Sequence, residues 1–164
     1  MRFVNVLLIG AVLGLLFSCG QPSKIPVLAR NEADSIRLLY SKASGYFVRN
    51  DFFSEGLTLT TIDSKEKLEK IFGYATVMGE GGSATPVNFE NQFALAAVYS
   101  ATDLDVKIES SSLFIKNDTL NVLIDLVMGQ KKSFQSRPFT LLIVEGRSDS
   151  FGAIKTLVNT QTAD

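Results

Sequence analysis

Histidine and tryptophan are absent from the 164 residues of this chain, and cysteine occurs once, at Cys19. Without histidine there is no Ser-His-Asp or Cys-His catalytic group, and the common zinc sites lose one of their main ligands. A single cysteine cannot form a disulfide within the chain. The sequence therefore predicts a protein that is not an enzyme and that holds neither a metal nor a cofactor.

Glycine placement and charge exclude two further classes of partner. The Gly-Glu-Gly-Gly run at 79–82 follows a predicted helix and precedes an extended segment. A phosphate-binding glycine motif instead follows a strand and opens a helix, so nucleotide binding is not expected. The chain carries 16 basic and 17 acidic residues. This balance does not attract a polyanion, and the sequence predicts no nucleic-acid partner.

The first eighteen residues have the pattern of a secretory signal peptide, with basic Arg2 followed by an apolar run from 3 to 17. That run is shorter than the roughly 20 residues that cross a bilayer. It ends in Leu16-Phe17-Ser18-Cys19-Gly20, which resembles the site at which lipoprotein signal peptides are cleaved before cysteine. We therefore expect residues 1–18 to be removed and Cys19 to be acylated, so that its acyl chains hold the protein in the lipid bilayer.

The mature chain is predicted to consist of a tether and one domain. Residues 19–33 are polar and contain Pro22 and Pro26, which favours an extended lipidated tether. Residues 34–164 are enough for a single globular domain with its own core. Gly20 and Gln21 supply no acidic sorting signal after Cys19. We therefore expect the outer membrane as the location, with the domain facing the periplasm rather than the cell exterior.

Short β-rich runs predict an α+β fold, mainly antiparallel sheet in a sandwich or an open barrel, with one short helix. Residues 34–44 fit either a helix or a strand, and the runs 46–49 and 57–62 are predicted to form a hairpin around Asn50-Asp51. The helix is expected to begin at Asp63, in a capping box with Glu66, and to end at Gly73. Asn117-Asp118 is predicted as a tight turn. The remaining strands are expected at 93–99, 106–109, 113–116, 120–128, 139–145 and 151–158.

A long irregular segment from Tyr74 to Asn88 is the main candidate for binding a partner. Unstructured connections of more than about 12 to 15 residues are uncommon in compact domains unless they bind something or are disordered. The alternative is that its apolar residues fold back onto the core. A second candidate is a basic patch around a hairpin end, although lysines there also protect sheet edges. The predicted partner-binding residues are Tyr74, Met78, Glu80, Phe89, Lys131 and Arg137.

Three aspartates are candidates for acid–base chemistry or calcium binding: Asp103, Asp105 and Asp149. No third oxygen ligand follows Asp103 and Asp105 at the spacing of a calcium loop. We therefore interpret them as solvated carboxylates in turns.

The capped helix 63–72, the segment Gly73–Gly79, the run Thr85–Phe89 and the triplet Arg137-Pro138-Phe139 together resemble small lipoproteins of the Bacteroides group related to the PrcB family. The likeness covers roughly residues 45–158. It implies a non-enzymatic accessory lipoprotein of a protease complex. We expect an interaction domain that stabilises or restrains a protease or another envelope protein, using an exposed strand edge and the segment Tyr74–Phe89. The alternative from composition and fold class is a small-molecule or glycan-binding lipoprotein with a ligand in a concave sheet face.

Overall fold

The computed structural model describes residues 35–75 and 82–162, so the predicted signal peptide, Cys19 and the tether lie outside the described residues. Contacts divide the chain into the units 1–33 and Asp34–Asp164, and every described residue belongs to the second. The elements are β1 (Ser35–Arg37), β2 (Tyr40–Lys42), β3 (Tyr46–Val48), β4 (Leu57–Ile62), α1 (Lys65–Ile71), β5 (Phe72–Tyr74), β6 (Gln92–Tyr99), β7 (Thr102–Lys116), β8 (Thr119–Ser136), β9 (Phe139–Glu145) and β10 (Ala153–Thr162).

Two four-stranded sheets and a small two-stranded sheet build the domain. The first sheet has the order β1-β7-β8-β10, the second has the order β2-β9-β6-β4, and β3 pairs with β5. The pairs are antiparallel except for β8 with β10, which run parallel. One hydrophobic cluster joins the facing sides of the two larger sheets, as in a sandwich. The predicted α+β fold, mainly antiparallel with a short helix, is confirmed.

The central strands of the second sheet, β6 and β9, are buried on both faces, because a third layer covers the side that faces away from the first sheet. Along β6, Phe93 and Leu95 pack toward the first sheet, whereas Ala94 and Ala96 pack against α1 and the β3–β5 pair. Strand β9 alternates in the same way. Burial on both faces explains why β6 and β9 are continuous apolar runs in the sequence. This layer order places α1 and the segment 82–91 on the outside of the second sheet.

Strands β7 and β8 form a long hairpin through the predicted turn at Asn117-Asp118, which is confirmed. Both residues have positive φ, 50° and 58°, as a two-residue turn between twisted antiparallel strands requires. The predicted strands 106–109, 113–116 and 120–128 are parts of these two longer strands. Register shifts along β7 interrupt the alternation of apolar and polar residues, so one strand reads as two in the sequence.

The predicted hairpin between 46–49 and 57–62 is wrong. Val48 of β3 lies opposite Phe72 of β5, and Ile62 of β4 lies opposite Ala94 of β6. The turn-forming pair Asn50-Asp51 is present, but both neighbouring strands find partners far along the chain. Turn chemistry predicts local pairing and carries no information about such distant partners. In residues 34–44 the strand alternative is the correct one, as β1 and β2 show.

The predicted helix exists, but its ends differ from the prediction. Ser64 caps α1, and its side chain accepts a hydrogen bond from the Lys67 N–H at 3.3 Å. Asp63 instead pairs with the Lys67 ammonium at 2.7 Å. Gly73 belongs to β5, where a side chain would collide with the Phe47 ring. The helix therefore runs straight into a strand at Phe72 and needs no glycine cap.

Candidate functional site

An open groove beside α1 brings together Tyr74 and Phe89, two of the residues predicted to bind a partner. The groove has a volume of 350 Å³. We call it the α1 groove, and its lining residues come from β3, α1, β5 and the segment 82–91. They are Tyr46, Lys65, Leu68, Tyr74, Ala84, Pro86, Val87 and Phe89. Most of this surface is apolar, with Lys65 as the charged residue in the lining.

Tyr46 holds two walls of the α1 groove together. Its ring lies 5.6 Å from the Tyr74 ring and 6.1 Å, edge to face, from the buried Phe72 ring. Its hydroxyl donates a hydrogen bond of 2.6 Å to the Thr85 carbonyl. One aromatic side chain thereby links the β3–β5 pair to the segment 82–91.

Backbone contacts fix the segment 82–91 against the start of β3. The Thr85 N–H donates to the Ser44 carbonyl at 2.9 Å, and the Ser44 N–H donates to the Thr85 hydroxyl at 3.0 Å. Gly45, with φ of 77°, permits this close approach, because a Cβ there would lie 2.6 Å from the Ala84 Cα. Val87 and Phe89 pack against the core cluster. In its described part, the predicted loop therefore folds back onto the core and still leaves a groove.

The two tyrosines that line the α1 groove have raised pKa values. Burial raises the pKa of Tyr46 above its usual value, with a further contribution from Tyr74. Burial, the hydrogen bond to Glu69 and the charge of Glu69 raise the pKa of Tyr74. The Tyr74 hydroxyl donates to Glu69 at 3.1 Å, and Lys65 lies 3.7 Å from the same carboxylate. Both phenols are neutral at ordinary pH, and charge is confined to the side of the groove formed by α1.

Lys131 and Arg137 do not line the α1 groove. Lys131 lies within β8, not at the predicted hairpin end, and its ammonium is 2.9 Å from the Asp103 carboxylate. The guanidinium of Arg137 donates to the carbonyls of Arg49 and Phe52, which holds the connection that follows β3. Both side chains already have partners inside the domain. Met78 and Glu80 lie outside the described residues.

The three candidate aspartates are each paired with a basic side chain. Asp103 pairs with Lys131, and Asp105 lies 3.2 Å from Lys132. Asp103 and Asp105 stand in β7 rather than in a turn, because this strand begins at Thr102. The bidentate hydrogen bonds from Arg147 lower the pKa of Asp149. Within 35–75 and 82–162, no group of three or more acidic, histidine or cysteine side chains could hold a metal ion.

A second exposed surface is the free edge of β10; the sequence predicts an exposed strand edge but does not identify the strand that forms it. All ten residues of this strand are exposed, and among the described residues no strand lies on its far side. Ile154, Leu157 and Val158 are 39%, 40% and 47% exposed. The sequence predicts a strand here, but its alternation of threonine, asparagine and apolar residues does not show that both faces meet solvent.

No helix among the described residues is long and apolar enough to cross a bilayer.

No protein-family model, no curated protein and no solved structure matches this chain. The resemblance to the PrcB family therefore stays a prediction.

Proposed function

We propose that this protein is a non-enzymatic lipoprotein of the cell envelope whose domain binds another envelope protein through the α1 groove. The observation that carries the proposal is the groove itself, an apolar surface assembled from separate segments of the chain. The resemblance to the PrcB family favours a protein of a protease complex as the partner. Binding there would stabilise or restrain that protein without chemistry by this domain.

The distribution of apolar side chains supports a protein partner. The cores on both sides of the second sheet are filled by tightly packed residues such as Leu95, Leu141 and Val144, each with 0% exposure. The α1 groove instead opens at the surface. Its 350 Å³ lies near the lower end of the range of about 300 to 1,000 Å³ for small-molecule sites. A side chain or two from a partner protein would fill such a groove, as anchor residues do in interfaces.

The anchor places the domain next to such partners. In this proposal Cys19 carries the acyl chains, residues 20–33 act as the tether, and the outer membrane holds the protein with its domain in the periplasm. Intact mass spectrometry of the protein from its own envelope tests this part. The expected species begins at residue 19 and carries fatty acid, whereas a species that retains Met1 or lacks fatty acid would contradict it.

Chemical crosslinking of intact envelopes, followed by purification of the full chain, tests the groove. Pro86 is exposed and lines the groove, so Pro86→Glu adds a carboxylate there without removing a core side chain. Leu39→Glu is the matched control, since Leu39 is 77% exposed and does not line the groove. We expect the wild type and Leu39→Glu to recover one abundant envelope protein and Pro86→Glu to lose it. Equal recovery by both variants would refute the role of the groove.

The second candidate function is binding of a small molecule or a glycan in the same groove. Three aromatic side chains in the lining, Tyr46, Tyr74 and Phe89, favour it, because aromatic rings line many ligand sites. Native mass spectrometry of the purified full chain distinguishes the two candidates. A bound compound that is present in wild type and absent in Pro86→Glu would replace the protein partner with a ligand.

A further inference from the structure

The free edge of β10 lacks the features that protect an exposed strand from pairing with another strand. Its ten residues stay in continuous register with β8, without a bulge. They include no proline and a single charged side chain, Lys155. Exposed edge strands are usually short, bulged or charged, which prevents such pairing. This edge can therefore accept a further strand along its whole length.

We propose that the strand it accepts is β10 of a second copy of this chain, paired antiparallel about a two-fold axis at Leu157. The interaction goes beyond the proposed function, because it uses a surface other than the α1 groove. In a two-fold pair that extends the sheet, the same patch of each copy meets itself. The axis is perpendicular to the sheet, so each residue lies opposite a residue that points to the same face.

The two faces of β10 follow from its pairing with β8. Along β8, Leu120, Val122, Ile124 and Leu126 are buried toward the core, and the residues between them are half-buried on the outer face. Leu157 lies opposite Leu123, and Asn159 lies opposite Asp125. Odd-numbered residues of β10 therefore share the outer face of the sheet with Leu123 and Asp125.

An axis at Leu157 joins apolar side chains across the two copies. Leu157 is 40% exposed in one copy and would lie directly opposite Leu157 of the second copy. Leu123 stands beside it on β8. The outer face would then carry a row of four leucines across the axis. Cross-strand apolar pairs of this kind are a main source of stability between strands.

Charge selects the same register. With the axis at Leu157, Lys155 lies opposite Asn159 of the second copy, and Asn159 donates to the Asp125 carboxylate at 3.1 Å. Asp125 lies two strands, roughly 10 Å, from the incoming strand, which the lysine side chain can approach, and Glu109 adds a second negative charge one strand further. An axis at Lys155 would oppose two ammonium groups, and an axis at Val158 would move Lys155 away from Asp125. Like charges directly opposite each other destabilise a strand pair, and the axis at Leu157 avoids that pairing while it brings Lys155 toward the negative charge of Asp125.

Disulfide trapping in cells that produce the full chain tests both the partner and the register. Leu157→Cys places two thiols opposite each other, within the Cα separation of about 7 Å that a disulfide allows. In Lys155→Cys the two thiols are offset by four residues, about 13 Å along the strands, so this variant is the matched control. We expect about tenfold more of the double-mass species from Leu157→Cys than from Lys155→Cys. Coexpression of Lys155→Cys with Asn159→Cys should give a mixed species.

Copies with two sizes of tag identify the trapped species, since a second copy gives a third band of intermediate mass. Three outcomes would overturn the proposal: no trapped species, equal trapping by Leu157→Cys and Lys155→Cys, or trapping of Leu157→Cys to a different protein. Thermal unfolding of each variant checks that the domain is intact. The groove experiment with Pro86→Glu is independent of these outcomes, so failure here leaves the proposed function as it was.

Discussion

Strands β6 and β10 have similar lengths, eight and ten residues, yet the first is buried on both faces and the second on neither. Phe93 to Val98 of β6 are each at most 1% exposed, whereas every residue of β10 is exposed. Burial of apolar surface contributes roughly 25 cal/mol per Å² to folding. Strand β6 therefore holds the fold, and β10 contributes mainly backbone hydrogen bonds. An apolar surface that folding does not need is free to bind.

Equivalent truncations in the two strands should have the most different effects. Leu95→Ala removes a side chain with 0% exposure and should lower the free energy of unfolding by about 3 kcal/mol. Leu157→Ala removes one that is 40% exposed and should cost less than about 1 kcal/mol. Urea unfolding followed by circular dichroism measures both. Equal losses would show that β10 is a structural strand, and the comparison would fail.

A second comparison of the two strands replaces a small residue in each by leucine. Ala96 of β6 is 0% exposed, and its side chain packs on the face of the second sheet that α1 covers. We expect Ala96→Leu to cost about 1 to 3 kcal/mol through overpacking. Thr156→Leu, on exposed β10, is the control and should leave the free energy of unfolding nearly unchanged. An Ala96→Leu variant with the same free energy of unfolding as the wild type would show that the space between the layers can accommodate a leucine side chain.

Tyr46 tests whether the wall of the α1 groove is fixed by packing and hydrogen bonding. Tyr46→Phe keeps the ring and removes the donor to the Thr85 carbonyl, so we expect a loss of about 1 kcal/mol. Because burial raises the pKa of Tyr46 above 10.0, the neutral phenol stabilises the fold fully below pH 10.0. That contribution is lost as pH rises through the raised pKa.

Denaturation curves at neutral and alkaline pH measure this difference. The variant should lose less stability than wild type between the two conditions. Identical alkaline losses would contradict the assignment of Tyr46 as a buried phenol at the groove wall.

The smallest effect is expected for Lys131, which the sequence analysis placed in a binding patch. The side chains of Lys131 and Asp103 are 76% and 38% exposed, so their ion pair is largely solvated. Exposed pairs contribute less than about 1 kcal/mol. Lys131→Ala should therefore change neither the melting temperature nor partner recovery by a measurable amount. Loss of the partner with the fold intact would restore Lys131 to the binding surface.

Patterns of neighbouring residues in the sequence predicted the strands with continuous apolar runs and the tight turn between β7 and β8. Burial on both faces makes β6 and β9 continuous apolar runs, and the Asn117-Asp118 turn has the residue types that tolerate positive φ. The pairing of β3 with β5 and the parallel position of β10 beside β8 were not predictable, because distant strand partners leave no mark in turn residues.

The candidate site was predicted only in part. Tyr74 and Phe89 belong to the irregular segment that the sequence singled out, and the structure brings them together in the α1 groove. Tyr46 and Leu68 were missed as groove residues, because their contribution depends on the pairing of β3 with β5 and on which side of the second sheet α1 covers. The sequence predicted an exposed strand edge but did not identify β10, because the position of a strand at a sheet edge depends on pairing with distant strands.

Site-specific photocrosslinking in intact cells tests the central claim, that this domain acts by contact through the α1 groove, most directly. A photoreactive amino acid replaces Pro86 in one variant of the full chain and the exposed Leu39 in another. The account predicts that position 86 gives one discrete adduct with an envelope protein and that position 39 does not give it. The same adducts from both positions, or none from position 86, would contradict the claim.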